Sequence, residues 1–342
     1  VTGYLLKLIR ESIPLTQEQL ATDLGVDRVT VQSWESGRRP FAAVPLGQAI
    51  AVRRRLGRLG ANVTLLAALG DATEADFILT AVLNEQVDRV DIAEQPLGWS
   101  VLTHRLTDLI LWAVIGQTPT FARGLTVTHT RRGPVASGPT LPTSEQRLFF
   151  ARLHVLAERA AAGRDPNVLL HRQACFLAGM DPTKTTAAWL AQTSTRARRA
   201  ITFRTWSPLW PDARSVVTSL ANQGDPEPLR DFLAHAHPDD ACQRAALNYS
   251  AYWVGEIPYR QCDDSFMRHR SQTGTARSSY GTWSSASTQR IPLSISTSTT
   301  SGRCSPCDAA SLSTTLLRAA CSSSAAPASW TATTPVHSPD RN

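Results

Sequence analysis

The run Leu15 to Arg39 (LTQEQLATDLGVDRVTVQSWESGRR) constrains the fold of this chain more than any other segment, because its residues are spaced as two short helices joined by a glycine turn. Thr16 and Gln19 stand three apart as a capping box, which predicts a helix beginning just after Thr16. Leu20, Ala21 and Leu24 then line one face of about two turns. Gly25 follows where a left-handed residue ends a helix without a Cβ clash. Asp27 is a suitable N-cap for a second helix, whose Val31 and Trp34 share a face at i and i+3 and leave Arg28, Val29, Gln32 and Ser33 outside. Gly37 stops that helix. Two helices this short, separated by so few residues, cannot run antiparallel and must cross steeply.

At these residues the chain resembles the helix-turn-helix domain of the phage repressor and Cro family, the XRE family of bacterial regulators, over about residues 3 to 70. The resemblance implies a compact head of five helices that inserts its third helix into the major groove of double-stranded DNA. It implies a phosphate contact from Gln17, base-edge contacts from Arg28, Val29, Gln32 and Ser33, and backbone contacts from Ser36, Arg38 and Arg39. It further implies an ion pair between Arg10 and Glu35. Arg28 is the residue suited to guanine, since a guanidinium fork matches O6 and N7, and Val29 is suited to a thymine methyl. A plain helical pair with a solvated charged face is the competing reading. The capping box, the glycine turn, Trp34-Glu35 and Gly37-Arg38-Arg39 in one register speak against it.

Charge supports this reading only locally. The chain has 342 residues and a formal charge of +7, of which residues 1–60 hold +4, residues 61–267 hold −2 and residues 268–342 hold +5. Arg53 to Arg55 add to the positive field of the head, or form a solvated helix face. No apolar run approaches a membrane span and no signal-peptide pattern follows Val1, so a cytoplasmic protein is expected, with no membrane partner.

Beyond the turn, residues 42–57 and 62–86 read as helices carrying Leu46, Ile50 and Val52, and Leu65, Leu66, Leu69, Phe77, Ile78 and Val82. The expected organisation is a DNA-binding domain at 1–75, a connecting helix and linker at 76–97, and an all-α sensor or dimerisation domain at 98–260. Trp99, Leu102, Leu106, Leu109, Ile110 and Ala113 repeat at helical spacing. A loop is expected at 116–143 and a helix from Ser144 to Gly163. Further helices are expected at 166–178, 183–200, 212–222, 226–236 and 239–254, as a tetratricopeptide-like stack or an irregular bundle. By analogy with other regulators, this part is expected to support a homodimer and to receive a small-molecule or peptide effector. Trp206, Trp210, Trp253, Tyr249 and Tyr252 are core aromatics or the lining of a ligand cavity.

Signals for chemistry are weak. His235 and His237 beside Asp239 and Asp240 lack matching ligands nearby and read as a polar loop. Cys304 and Cys307 have no second close pair, and Cys175 and Cys242 read as buried thiols. No phosphate-loop, nucleophile-elbow or dinucleotide motif occurs. The expectation is a protein without a catalytic residue, metal or cofactor. The competing interaction-class reading makes the helical part an adaptor and the helix-turn-helix a vestige.

From about residue 268 the character changes: residues 271–342 hold 30 Ser and Thr, no Glu and no Lys. This is a disordered low-complexity tail or the product of a shifted reading frame. Lys7 and Lys184 are the only lysines against 33 arginines, which points to a GC-rich gene. In such a gene, joining each wobble base to the following codon gives, for one permitted choice of codons, leucines at helical spacing. That favours the shift.

Overall fold

The computed structural model describes residues 1–13, 15–87, 89–123, 125, 138–162, 165–200, 206–235 and 239–269, with the backbone alone for 184 and 194–200. The expected loop at 124 and 126–137, Gly163, His237, Cys304, Cys307 and the Ser/Thr-rich tail lie outside those residues. What is described is helical, with no strand among the described residues.

The head begins with α1 (Thr2–Ser12), α2 (Gln17–Leu24) and α3 (Arg28–Glu35). A short 3-10 turn at Phe41–Ala43 leads into α4 (Leu46–Arg58) and then α5 (Val63–Leu83). The start of α2 follows the sequence: Thr16 accepts from the Gln19 amide at 3.1 Å, and the Gln19 side chain accepts from the Thr16 amide at 2.9 Å. Gly25 closes the helix at φ +66, a conformation that a Cβ would strain. Asp27 stands in the extended N-cap conformation of α3, but its carboxylate makes no capping bond; its backbone carbonyl accepts from Thr30 and Val31 instead.

Three hydrophobic assignments need correcting. Leu46 is 76% exposed, Ile50 44% and Phe77 48%. α4 packs on α2 and α5 through its far end, so Val52 and Leu56 carry its burial.

The stretch expected as a linker is anchored at its two ends, while Arg89, Asp91, Ala93 and Glu94 between them are exposed. Val87, Gln95, Pro96 and Leu97 are buried, with two 3-10 turns at Ile92–Glu94 and Pro96–Gly98. Next come α6 (His104–Ile115), α7 (Thr143–Ala161), α8 (Val168–Ala178) and α9 (Lys184–Ala200). Then follow α10 (Leu209–Asn222), α11 (Glu227–His235), α12 (Asp240–Val254) and a last 3-10 turn at Asp264–Arg268. Trp99 lies outside α6 and is 47% exposed, because the helix starts only at the Thr103 cap. Helix α7 packs on α8, α8 on α10, and α10 on both α9 and α11, as successive pairs in a stack would. Helix α12 breaks the order by packing on α6 and the last 3-10 turn.

The head is not a bead on a string. α5 contacts α1 on one side and α6 and α7 on the other, so one hydrophobic core runs from Leu5 through Phe232. Tyr4 of α1 meets Trp112 of α6 edge to face, with centroids 5.2 Å apart. Asp71 of α5 accepts from Arg105 and Arg260, and Arg260 also reaches Glu74 at 2.8 Å. No described helix is long and apolar enough to cross a membrane.

Candidate nucleic-acid interface

Helix α3 is held by its inner face and presents its outer one. Val31 and Trp34 are buried, and the Trp34 ring meets Phe41 edge to face at 5.6 Å. Leu20 and Ala21 of α2 are buried, while Leu24 packs half-buried against the same core. α1 crosses the end of α3 so closely that a Cβ on Gly3 would overlap the carbonyl oxygen of Trp34 and stand 2.9 Å from that of Glu35. This steric requirement went unread in the sequence; a glycine at the second position of an apolar helix is its only trace.

A buried ion pair fixes the corner where α1, α2 and α3 meet. Arg10 Nε donates to Glu35 Oε1 at 2.6 Å and its Nη2 to Oε2 at 3.1 Å, while Nη1 reaches the Leu15 carbonyl at 2.9 Å. The side chains are only 6% and 4% exposed. Burial by itself would lower the Arg10 pKa; the hydrogen bond and charge of Glu35, with help from Glu11, reverse that and raise it. Glu35 also accepts from Gln17 Nε2 at 2.8 Å.

The expected DNA contacts divide on this geometry. Arg28, Val29 and Gln32 are exposed on α3, Val29 at 66%. Ser36, Arg38 and Arg39 are exposed in the turn that follows, where Arg38 Nε approaches Ser36 Oγ at 3.4 Å. Ser33 is half-buried, and its carbonyl accepts from the Ser36 hydroxyl at 3.3 Å and from the Arg39 amide. Gln17 is half-buried too, with one amide hydrogen committed to Glu35. Among the described residues, Arg28, Arg38 and Arg39 pair with no carboxylate. Arg55 differs from its neighbours Arg53 and Arg54: it donates to Asp23 at 2.7 Å, so its charge is spent inside the head.

With that surface in view, residues 6–42 match the family model described as helix-turn-helix. The head is an XRE-family helix-turn-helix domain. No curated protein and no solved structure matches the chain. A helix-turn-helix head of this family is a DNA-binding, regulatory device. Its third helix here offers a donor fork, an apolar methyl surface and an amide within a single turn, flanked by two guanidinium groups that pair with no described carboxylate.

Elsewhere, one cluster has the residue types of a catalytic triad. Cys175 Sγ lies 3.7 Å from His171 Nε2, and His171 Nδ1 lies 2.5 Å from Asp212. Cys175 is fully buried, and burial, with the nearby Asp212 charge adding, pushes its thiol pKa well up. The nucleophilic thiolate is therefore disfavoured there. Cys242 is buried as well and is pushed up to about 12, by burial first and then by Asp239. His235 is bonded at Nδ1 to the Asp231 carbonyl of its own helix.

Proposed function

We propose that this protein is a bacterial transcriptional regulator that binds a specific sequence of double-stranded DNA, acting as a cytoplasmic homodimer on a two-fold related site. The observation that carries the reading is the outer face of α3. Arg28, Val29 and Gln32 are exposed without a structural commitment, on a helix anchored by Val31 and Trp34. A surface kept only for solvation has no need of that combination. Arg28 reads a guanine, Val29 a thymine methyl and Gln32 a further base edge, with Ser33 at the margin. Arg38, Arg39 and Ser36 hold the phosphate backbone, and Gln17 adds one phosphate contact through its remaining amide hydrogen.

The packing adds a mechanism for regulation. Helix α5 belongs to the head and to the helical region at once, so a ligand or partner that moves α6 or α7 reaches α1 through packed side chains such as Trp112 and Tyr4. We assign sensing and dimerisation to the helical region. The chain works by binding, and no chemical step is assigned to it.

The test uses the full chain, because the core is continuous. Duplexes selected from a random library are measured by fluorescence anisotropy at several salt concentrations. The reading predicts an enriched, two-fold related sequence and an affinity that falls steeply with salt. Binding that is absent, or indifferent to sequence, would overturn it and leave the adaptor reading.

A further inference from the structure

The segment leading into α10 and the two elements beside it border an open cleft of about 380 Å³, lined by Trp206, Ser207, Pro208, Ala241, Arg244 and Arg268. That volume lies within the range of small-molecule sites and exceeds what a bare inorganic oxyanion needs. Its charged lining, among the described residues, is a pair of arginines, Arg244 and Arg268. Behind the lining, the indole Nε1 of Trp206 and the hydroxyl of Ser207 are buried without a hydrogen-bond partner.

Neither arginine is neutralised by a described carboxylate: neither Arg244 nor Arg268 lies within ion-pair distance of one. That includes Asp240, one turn before Arg244 on α12. Asp263 feels Arg268 only weakly: its pKa is lowered mainly by hydrogen bonds from Ser265, with His269 and Arg268 contributing least. Arg268 lies over the Trp206 ring, 5.0 Å from its centroid, which fixes the guanidinium at the cleft wall. Trp206, Ser207 and Pro208 immediately precede α10, whose 14 residues direct the positive end of their dipole toward this corner.

A site whose charges, among the described residues, are both positive selects a negative ligand. We propose that this cleft binds a small organic anion, with its carboxylate or phosphate between Arg244 and Arg268 and its body against Pro208, Ala241 and the Trp206 indole. A guanidinium fork engages either oxyanion in two parallel hydrogen bonds. That the anion acts as an effector rests on the regulatory reading above; that it binds does not. Of the five aromatics singled out in the sequence, Trp206 is the one at this site, whereas Trp210, Tyr249 and Tyr252 are buried in the core.

Calorimetric titration of the full chain with phenyl phosphate, benzoate and the neutral benzamide tests the proposal. Saturable binding of at least one anion is expected, with benzamide much weaker. Binding of phenyl phosphate alone identifies phosphate as the recognised group, and binding of both shows that a carboxylate suffices. Arg244→Gln and Arg268→Gln should each weaken the anion roughly tenfold or more, while Arg244→Lys retains part of the affinity. Both arginines are exposed, so either variant answers if the other fails to fold. No anion binding above that of benzamide, or unchanged binding by the double variant R244Q/R268Q, overturns the proposal. Duplex binding is measured on the same samples. Intact DNA binding without anion binding removes the anion site alone, and anion binding without DNA binding removes the regulator reading alone.

Discussion

Arg10 with Glu35 in the head and Arg172 with Asp264 in the helical region are built alike. Each joins a nearly buried guanidinium to a nearly buried carboxylate by two hydrogen bonds, the second pair at 3.0 and 2.5 Å. In both, burial alone would lower the arginine pKa and the partner carboxylate raises it instead. The difference lies in what else the carboxylate holds. Glu35 has an oxygen shared with Gln17, a side chain that reaches the surface beside α3, so this pair sets the position of an outward group. Asp264 ties α8 to the last 3-10 turn across 92 residues of sequence and holds the turn beneath Arg268. Identical chemistry thus serves the proposed recognition surface in one place and closes a core in the other.

That contrast can be broken at either end. Arg172→Leu leaves Asp264 buried and unpaired and should cost about 3 to 5 kcal/mol in denaturant unfolding. The double variant R172L/D264L should regain most of that loss, and failure to do so would show that the pair does more than neutralise itself. Gly3→Ala pushes α1 away from the end of α3 and should cost about 1 to 3 kcal/mol, with duplex affinity falling as the corner around Arg10 and Glu35 loosens. A variant with wild-type stability would contradict the close approach.

Thr16→Ala removes one half of the capping box and should lower the stability of the head by about 1 kcal/mol, a shift readable in the unfolding midpoint. Arg28→Ala should reduce discrimination at one base pair by about tenfold or more; equal loss on selected and random duplexes would refute base reading. The smallest effect is expected for Arg38→Ala. All duplexes should weaken about equally, and the slope of log affinity against log salt should fall by about one.

The head was legible because its signals are local. Thr16, Gln19 and Gly25 act on backbone groups within four residues of themselves, so the capping box and the turn stand where spacing put them. The faces of later helices were less legible. Leu46, Ile50 and Phe77 have the pattern of core residues and are exposed, because a helix buries whichever face its neighbours happen to cover. Ser33 and Gln17 show the same limit at the interface. Both were expected from the sequence as DNA contacts, yet the fold half-buries each and commits one hydrogen of Gln17 to Glu35. The field expected from Arg53 to Arg55 shrinks by one charge, since the pairing of Arg55 with Asp23 depends on how α4 meets α2.

The sequence by itself determined that this chain is helical, where α2 begins and ends, and that residues 6–42 carry a helix-turn-helix, since these follow from capping, turn chemistry and periodicity over a few residues. Only the tertiary structure decided that α5 serves both halves of one core, that Gly3 is a contact glycine, and that Trp206, Arg244 and Arg268 meet at a cleft. Those facts depend on residues far apart in the chain, and no local preference encodes which distant surfaces will close on each other.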